Sequence, residues 1–201
     1  MISNDHNSFR LIENDKTFTL TDIWDITSSF DFIFNRQQLI ILCADNDILS
    51  ISIYLKALKS RTPIMILSND IDSNELNKIL NNFKPSFLIA NQNICIDAPY
   101  HQKKVYKNYN IYSYYQNLNA SFLINKDLVL LLPTSGSTGS AKFVRISHNN
   151  IFSNSNSIIK YLKIDKNDKT ITTLPMSYSF GLSIINTYYK AGASLIITKH
   201  S

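Results

Sequence analysis

The hydrophobic positions of this chain fall into short unbroken runs, separated by stretches in which apolar residues recur at helical spacing. QLIILC at 38–43 is a run of strand length, ADND after it supplies capping side chains, and ILSISIYLKALKS carries Ile48, Ile51, Ile53, Leu55 and Leu58. This order predicts strand, cap and helix. It repeats: Pro63 opens the run PIMIL, an acidic SNDIDS follows, a helix is predicted near 74–83, and FLIA stands beyond Pro85. Runs apolar on both faces and alternating with helices predict parallel strands covered on both sides. The predicted class is therefore α/β, a mostly parallel sheet flanked by helices.

The flanks are less regular. RLIENDKTFTL at 10–20 predicts two short strands around an Asn14, Asp15 turn, and Thr21 is placed to cap a helix running through Trp24. Residues 91–126 are polar and tyrosine-rich, with YNIYSYY as the strand-like part, and are expected to form a connection over the surface. LVLLLP at 128–133 resumes the sheet, KFVRIS is β-rich, and Ser147 can cap a helix with the stripe Ile151, Phe152, Ser155, Ile158, Ile159 and Leu162. Such a stripe marks core rather than cofactor contact. KTITTLP predicts another strand, Phe180 to Lys190 a helix and SLIIT a last strand, with no internal repeat or low-complexity linker.

A length of 201 residues fits one ordinary domain or an incomplete large one, and 44% hydrophobic against 17% charged residues excludes a disordered chain. The net charge of +5 favours anionic partners such as nucleotides, nucleic acids or acidic lipids without choosing among them. Much of the polar surface is Asn, so a few scattered Lys tip the balance. Cys43 and Cys95 make no disulfide framework, and Cys43 within LIILCA is expected to be buried, in keeping with a reducing compartment. MISNDHNSFR lacks the apolar stretch of a signal peptide, and no run reaches the roughly 18 apolar residues of a membrane span. A soluble, cytoplasmic chain is expected.

Glycine is scarce and concentrated. The chain has 4, Gly136, Gly139, Gly181 and Gly192, where ordinary usage of about 7% would give many more. Two of them lie in LVLLLPTSGSTGSAK, which places Thr134, Ser135, Ser137, Thr138 and Ser140 directly after a buried strand and ends in Lys142. Glycines let successive backbone N–H groups converge on an anion, hydroxyls add donors, and an ammonium adds a point charge. The loop is not a Walker A motif, which requires glycine where Ala141 stands, nor a GxGxxG dinucleotide fingerprint. On composition alone, a phosphate loop and a flexible polar hairpin remain alternatives.

The longer string TSGSTGSAKFV resembles the phosphate-loop signature of the adenylate-forming superfamily, [ST]SG[ST]TGxPKxV. That superfamily contains acyl-CoA synthetases, fatty acyl-AMP ligases, luciferases and peptide-synthetase adenylation domains. Thr134 through Gly139, Lys142 and Val144 match, whereas Ala141 replaces the usual Pro and Phe143 a frequent Gly. SHNNI at 147–151 is similar to the family's (S/T)HxN(L/I), and LPMSYSFGL at 174–182 to its LPxxHxxGL, with Tyr178 at the usual His position. IYLKALKSRTPIMILSNDI and TFTLTDIW resemble earlier segments, so the likeness runs through nearly the whole chain.

The resemblance implies ATP-dependent activation of a carboxylic acid as acyl-AMP, with Mg2+ arriving with ATP and thioester formation on CoA or a phosphopantetheine carrier as a common second step. It implies that Thr134, Ser135, Gly136, Ser137, Thr138, Gly139 and Lys142 embrace the phosphates. Tyr178, Phe180 and Gly181 would then lie near the acyl group, although a packed aromatic turn is an equal reading of Tyr178 and Phe180. The family's adenine-binding strand with its magnesium-coordinating Glu, ribose-binding Asp and C-terminal catalytic domain have no counterpart in 1–201. Residues 1–201 are therefore expected to be a partial AMP-binding N-terminal domain, inactive alone and completed by a missing C-terminal domain or second chain.

Two other classes compete. A non-catalytic nucleotide-binding remnant or partner subunit would keep the loop without turnover. A nucleic-acid module is suggested by HQKKVYKNYNIYSYY, where Lys103, Lys104 and Lys107 interleave with tyrosines, but the phosphate loop lies elsewhere and Arg is rare, so a solvated strand is preferred. His148 reads as a helix-start contact, and no histidine has partners at metal-ligand spacing.

Overall fold

The computed structural model describes residues 6–92, 94–97, 99–114, 124–134 and 142–198. Asn14 and Asp15 both take positive φ, 49° and 62°, which these residue types tolerate and a tight hairpin requires. They join strand β1 (Arg10–Glu13) to β2 (Lys16–Thr19). Helix α1 (Leu20–Ser28) is capped by Thr19, not by Thr21. The Thr19 hydroxyl accepts from the Asp22 amide while the Asp22 carboxylate accepts from the Thr19 N–H at 2.7 Å. Thr19 has an acid three residues on to close this reciprocal box, and Thr21 has Trp24 there instead.

The strand, cap and helix order then appears as β3 (Ile40–Ala44), α2 (Ile48–Ser60), β4 (Ile64–Ser68), α3 (Ser73–Phe83) and β5 (Phe87–Asn91), with Asp47 and Asp72 as caps. Strands β4 and β5 pair parallel to β3 on its two sides. The chain leaves β3 in one direction and returns across it in the other, so right-handed crossovers put α2 and α3 on opposite faces. Alternation along the strands follows: Ile40, Leu42, Ile64 and Ile66 share a core with α2, whereas Ile41, Cys43, Met65 and Leu67 pack with Leu76, Ile79 and Leu80 of α3. Burial pushes the Cys43 thiol up to about 12.

Residues 91–126 are more than a surface connection. They contain β6 (Tyr100–Tyr106) and β7 (Tyr109–Tyr114), which extend the sheet antiparallel from β5. Strand β6 is the sheet edge, and an edge strand open to solvent carries Lys and Gln without an apolar run. Its rings are engaged edge to face, Tyr100 with Tyr114 and Tyr106 with Phe30, while Lys104 Nζ donates to the Ser29 carbonyl at 3.1 Å. Tyr106 and Lys104 fasten the edge to the end of α1. Strand β8 (Leu128–Pro133) lies parallel to β4 and β9 (Phe143–Ser147) antiparallel to β8, giving the order β6-β7-β5-β3-β4-β8-β9.

Helix α4 (His148–Leu162) is capped by Ser147 in a reciprocal box with Asn150, which gives the SHNN string its physical meaning. Ile151, Ser155 and Ile159 are buried, but Leu162 is 59% exposed and lies outside the core. Strand β10 (Lys169–Thr172), helix α5 (Ser179–Ala191) and strand β11 (Ser194–Ile197) follow, with Gly192 at φ 70° making the left-handed exit from α5. The α/β class is as the sequence predicts, but the strands divide between two sheets. β10 and β11 join the N-terminal hairpin in the order β10-β11-β1-β2, with Arg10 opposite Ser194. No helix among the described residues is long and apolar enough to cross a membrane.

Helix α2 lies in the core shared by the two sheets, with 10 of its 13 residues buried. Its polar groups are met from several directions. Tyr54 Oη donates to Asn186 Oδ1 of α5 at 2.8 Å, the Ile48 amide donates to Glu13 Oε1 of β1 at 2.9 Å, and Ser50 and Tyr109 hydroxyls lie 3.0 Å apart. Asp47 accepts from the Ser50 amide and the Tyr109 hydroxyl, yet burial raises its carboxyl above the ordinary value despite these bonds. The folded state thus holds the Asp47 proton more tightly than the unfolded state does. Stability from this group is present below the ordinary Asp value of about 3.9 and is lost as pH rises through the raised value. Asn caps a helix as well as Asp. The thermal midpoint of Asp47→Asn is expected to gain on the parent as pH rises from below that value to neutrality, and a constant difference across the range would refute the account.

Candidate functional site

The carboxyl ends of β4 and β8 and the turn before α5 enclose a cleft of about 550 Å³. Ser68 ends β4, and Leu132, Pro133 and Thr134 carry β8 to the cleft edge. Val144 and Ile146 come from β9, and Ser177, Tyr178 and Ser179 form the opposite side. Open α/β sheets place ligands in such crevices because the strands end there together and their outgoing loops diverge. Among the described residues, none that lines the cleft is an acid or a strong base.

One side of the cleft is the root of the glycine-bearing loop. The Thr134 amide donates to the Lys142 carbonyl at 2.9 Å, and the Thr134 hydroxyl to the same oxygen at 3.2 Å. The loop therefore leaves and re-enters the sheet at one pinned point. Thr134 lines the cleft and Lys142 is exposed beside it. Ser135, Gly136, Ser137, Thr138 and Gly139 lie outside the described residues.

The other side is LPMSYSFGL, and what holds it is a residue the sequence reading passed over. Asn46 is 1% exposed at the end of β3. Its Nδ2 donates to the Leu174 carbonyl at 3.0 Å and, more weakly, to that of Thr172 at 3.4 Å, while its Oδ1 accepts from the Met176 amide at 2.9 Å. One carboxamide thus fixes the turn to the first sheet. The only sequence signal was the cap-rich ADND string, in which Asp47 is the cap and Asn46 the clamp.

From this turn α5 begins. Tyr178 is its N-cap residue and is 64% exposed, and Phe180 is 66% exposed, so neither is part of a packed aromatic turn. Tyr178 lines the cleft and Phe180 stands beside it on the first helical turn. Gly181 is buried against backbone: a Cβ there would lie 2.3 Å from the Pro175 carbonyl oxygen and 2.7 Å from that of Leu174. Its place in the motif is set by this close approach, which the letter pattern did not specify. His148 stacks on Phe152 with centroids 4.2 Å apart, a local contact at the start of α4, and burial together with Arg61 and Lys190 lowers its ring below the ordinary His value.

Comparison with known proteins gives a family and a shared fold. The family model described as AMP-binding enzyme matches residues 33–201. No curated protein matches. Among solved structures, ATP-bound MatB from Rhodopseudomonas palustris is 15% identical with a TM-score of 0.75, over 100% of this chain and 46% of that one. o-Succinylbenzoate CoA synthetase (MenE) from Bacillus subtilis with the acyl-adenylate OSB-AMP is 16% identical with a TM-score of 0.70, over 95% and 52%. VinN with L-aspartate is 18% identical with a TM-score of 0.72, over 93% and 52%. The chain thus spans about half the length of the structures it matches.

Two substitutions test the geometry. Ala favours helix over Gly by about 1 kcal/mol, but overpacking costs about 1–3 kcal/mol, and backbone at 2.3 Å cannot yield as a side chain would. Gly181→Ala is expected to lose about 2 kcal/mol in denaturant unfolding, and a variant as stable as the parent contradicts the close approach. Asn46→Ala leaves the Met176 amide and the Leu174 carbonyl unpaired and is expected to lose about 1–3 kcal/mol; an unchanged unfolding midpoint would show that the clamp carries no load.

Proposed function

The chain belongs to the AMP-binding enzyme family, and from that membership we propose that it takes part in ATP-dependent activation of a carboxylic acid as acyl-AMP. The observation that carries the reading is the pairing of Thr134 and Lys142 at the root of the loop with Tyr178 across one cleft. Bound with Mg2+, ATP supplies an electrophilic phosphorus and a pyrophosphate leaving group. The chain's own residues have two tasks. The loop that starts at Thr134 and Lys142 holds phosphate oxygens by hydroxyls, amides and one ammonium, and the turn at 174–182 presents the acid.

A carboxylate is a weak nucleophile, so the gain comes from holding it in line and neutralising charge on the phosphates. Pinning the root of the loop at Thr134 and the turn at Asn46 supports both, since these two points are already held by hydrogen bonds. Among the described residues, no group of three or more His, Cys, Asp or Glu is placed to hold a metal ion. We assign residues 1–201 to the first part of an adenylation domain. Turnover, and any transfer of the acyl group to CoA or a carrier, would draw on elements of the kind that fill the other half of the solved relatives.

The test is thermal unfolding of the chain against rising MgATP, with Lys142→Ala beside it. A ligand that binds the folded state raises the midpoint with concentration. The parent is expected to respond, and the variant to need about tenfold more MgATP or greater, the equivalent of a charged hydrogen bond of about 1.5–3 kcal/mol. Equal responses would remove Lys142 from the site, and no response in either would remove the nucleotide reading.

A further inference from the structure

Helix α4 outruns the core it packs on. Its buried residues Ile151, Ser155 and Ile159 form one stripe, and Leu162, three positions further, continues that stripe by helical spacing. The body of the protein leaves it uncovered. Leu162 is 59% exposed, and its neighbour Tyr161, at 84%, is the most exposed large apolar side chain among the described residues. The helix then stops at Lys163, which takes the left-handed conformation at φ 54°, and Ile164 is half-buried again. Tyr161 and Leu162 therefore stand at the tip of a projection, with the chain returning to the body directly behind them.

Lysines flank this tip at every third position. Lys160, Lys163, Lys166 and Lys169 are all exposed, and none of them makes an ion pair among the described residues. The two acids of the same stretch are turned onto its backbone: Asp165 Oδ1 accepts from the Asn167 amide at 2.7 Å, and Asp168 Oδ2 accepts from the Asp165 amide at 2.8 Å. The Asp168 amide donates to the Asp165 carbonyl at 3.2 Å, and the Asp168 carbonyl accepts from the Ser194 amide of β11 at 2.9 Å. The turn that presents the lysines is thus held in one shape and fastened to the second sheet.

The surface of an anionic phospholipid bilayer suits such a tip. Leu162 and the Tyr161 ring match the boundary between headgroups and acyl chains, where a tyrosine keeps its hydroxyl in water. Lysines reach lipid phosphates from long apolar stems and need no fixed partner geometry, which a fluid surface does not offer. A nucleic acid is served less well, because residues 160–169 hold no Arg and a single ring, whereas strand binding uses successive rings. A projection also offers a protein partner no groove. The net charge of +5 draws the whole molecule toward a negative surface. We propose that the end of α4 and the turn after it, through Tyr161, Leu162 and the four lysines, dock the protein on an anionic lipid surface. This is independent of the acid-activating reading above.

The test is co-sedimentation of the full chain with vesicles of phosphatidylcholine alone and of phosphatidylcholine mixed with phosphatidylglycerol. Binding is expected on the mixed vesicles only, and is expected to weaken as salt is raised. Leu162→Ser and Tyr161→Ser should each lower affinity about tenfold through lost apolar contact. Lys166→Ala should lower it about fivefold, the equivalent of about 1 kcal/mol for one lysine near the surface. Lys103→Ala removes the same charge from β6, the sheet edge opposite the strands that α4 packs on, and is expected to bind as the parent does. Thermal midpoints without vesicles should match the parent in all four variants, because every replaced side chain is exposed. Tyr161→Trp supplies a second reading: bromine-labelled acyl chains should quench its emission beyond any effect on Trp24 in the parent. No binding to mixed vesicles, equal binding to both kinds, equal losses in Lys103→Ala and Lys166→Ala, or unchanged binding of Leu162→Ser would each overturn the docking surface. An unquenched Tyr161→Trp, or a lowered midpoint that accounts for a loss, would do the same. So would single-stranded RNA binding or self-association that depends on these residues in a chain that leaves vesicles alone.

Discussion

Everything else in this fold is arranged around the enclosure of α2. A helix buried on nearly every side cannot send its polar groups to water, so each must be met by another element. Glu13 of the N-terminal hairpin, Tyr109 of β7 and Asn186 of α5 do this from three directions. Those bonds are long-range in sequence and short in space. They bring the N-terminal hairpin, the antiparallel extension of the first sheet and the last helix onto one axis, and the second sheet closes over the same core. An unmet partner in such a place costs about 1–3 kcal/mol, comparable with a sizeable fraction of a domain's whole stability.

The cleft inherits its shape from that enclosure. Residue Asn46 sits two positions before α2 begins, so the strand end that leads into the buried helix also holds the turn at 172–176. Gly181 then lets the first turn of α5 press on the backbone of the same turn. The aromatic side chains of Tyr178 and Phe180 are left exposed at the start of α5.

Much of this was legible in the residues themselves. Unbroken apolar runs such as LIILC and IMIL mark strands covered on both faces, and Asp47, Asp72 and Ser147 announce helix starts by side-chain chemistry that acts over three residues. The phosphate-loop string points to its family because its glycines, hydroxyls and lysine are contiguous. Strand β6 escaped notice for a physical reason: an edge strand has one side of its backbone and much of its side-chain surface in water, so its composition is that of a loop. The Thr21 cap failed because the reciprocal partner, Asp22, stands at the right distance only from Thr19.

Local chemistry, then, was determined by the sequence alone: which segments are strand or helix, where most caps fall, and that one loop gathers glycines, hydroxyls and a lysine in a single string. These depend on side chains within a few positions of one another, whose spacing the covalent chain itself sets. Tertiary structure alone decided that the strands form two sheets, that Arg10 lies opposite Ser194, and that Asn46 grips a turn more than a hundred residues away. Nothing in a local pattern encodes such meetings. They arise because a buried polar group must find its partner wherever packing brings one, and packing is settled by the whole chain at once.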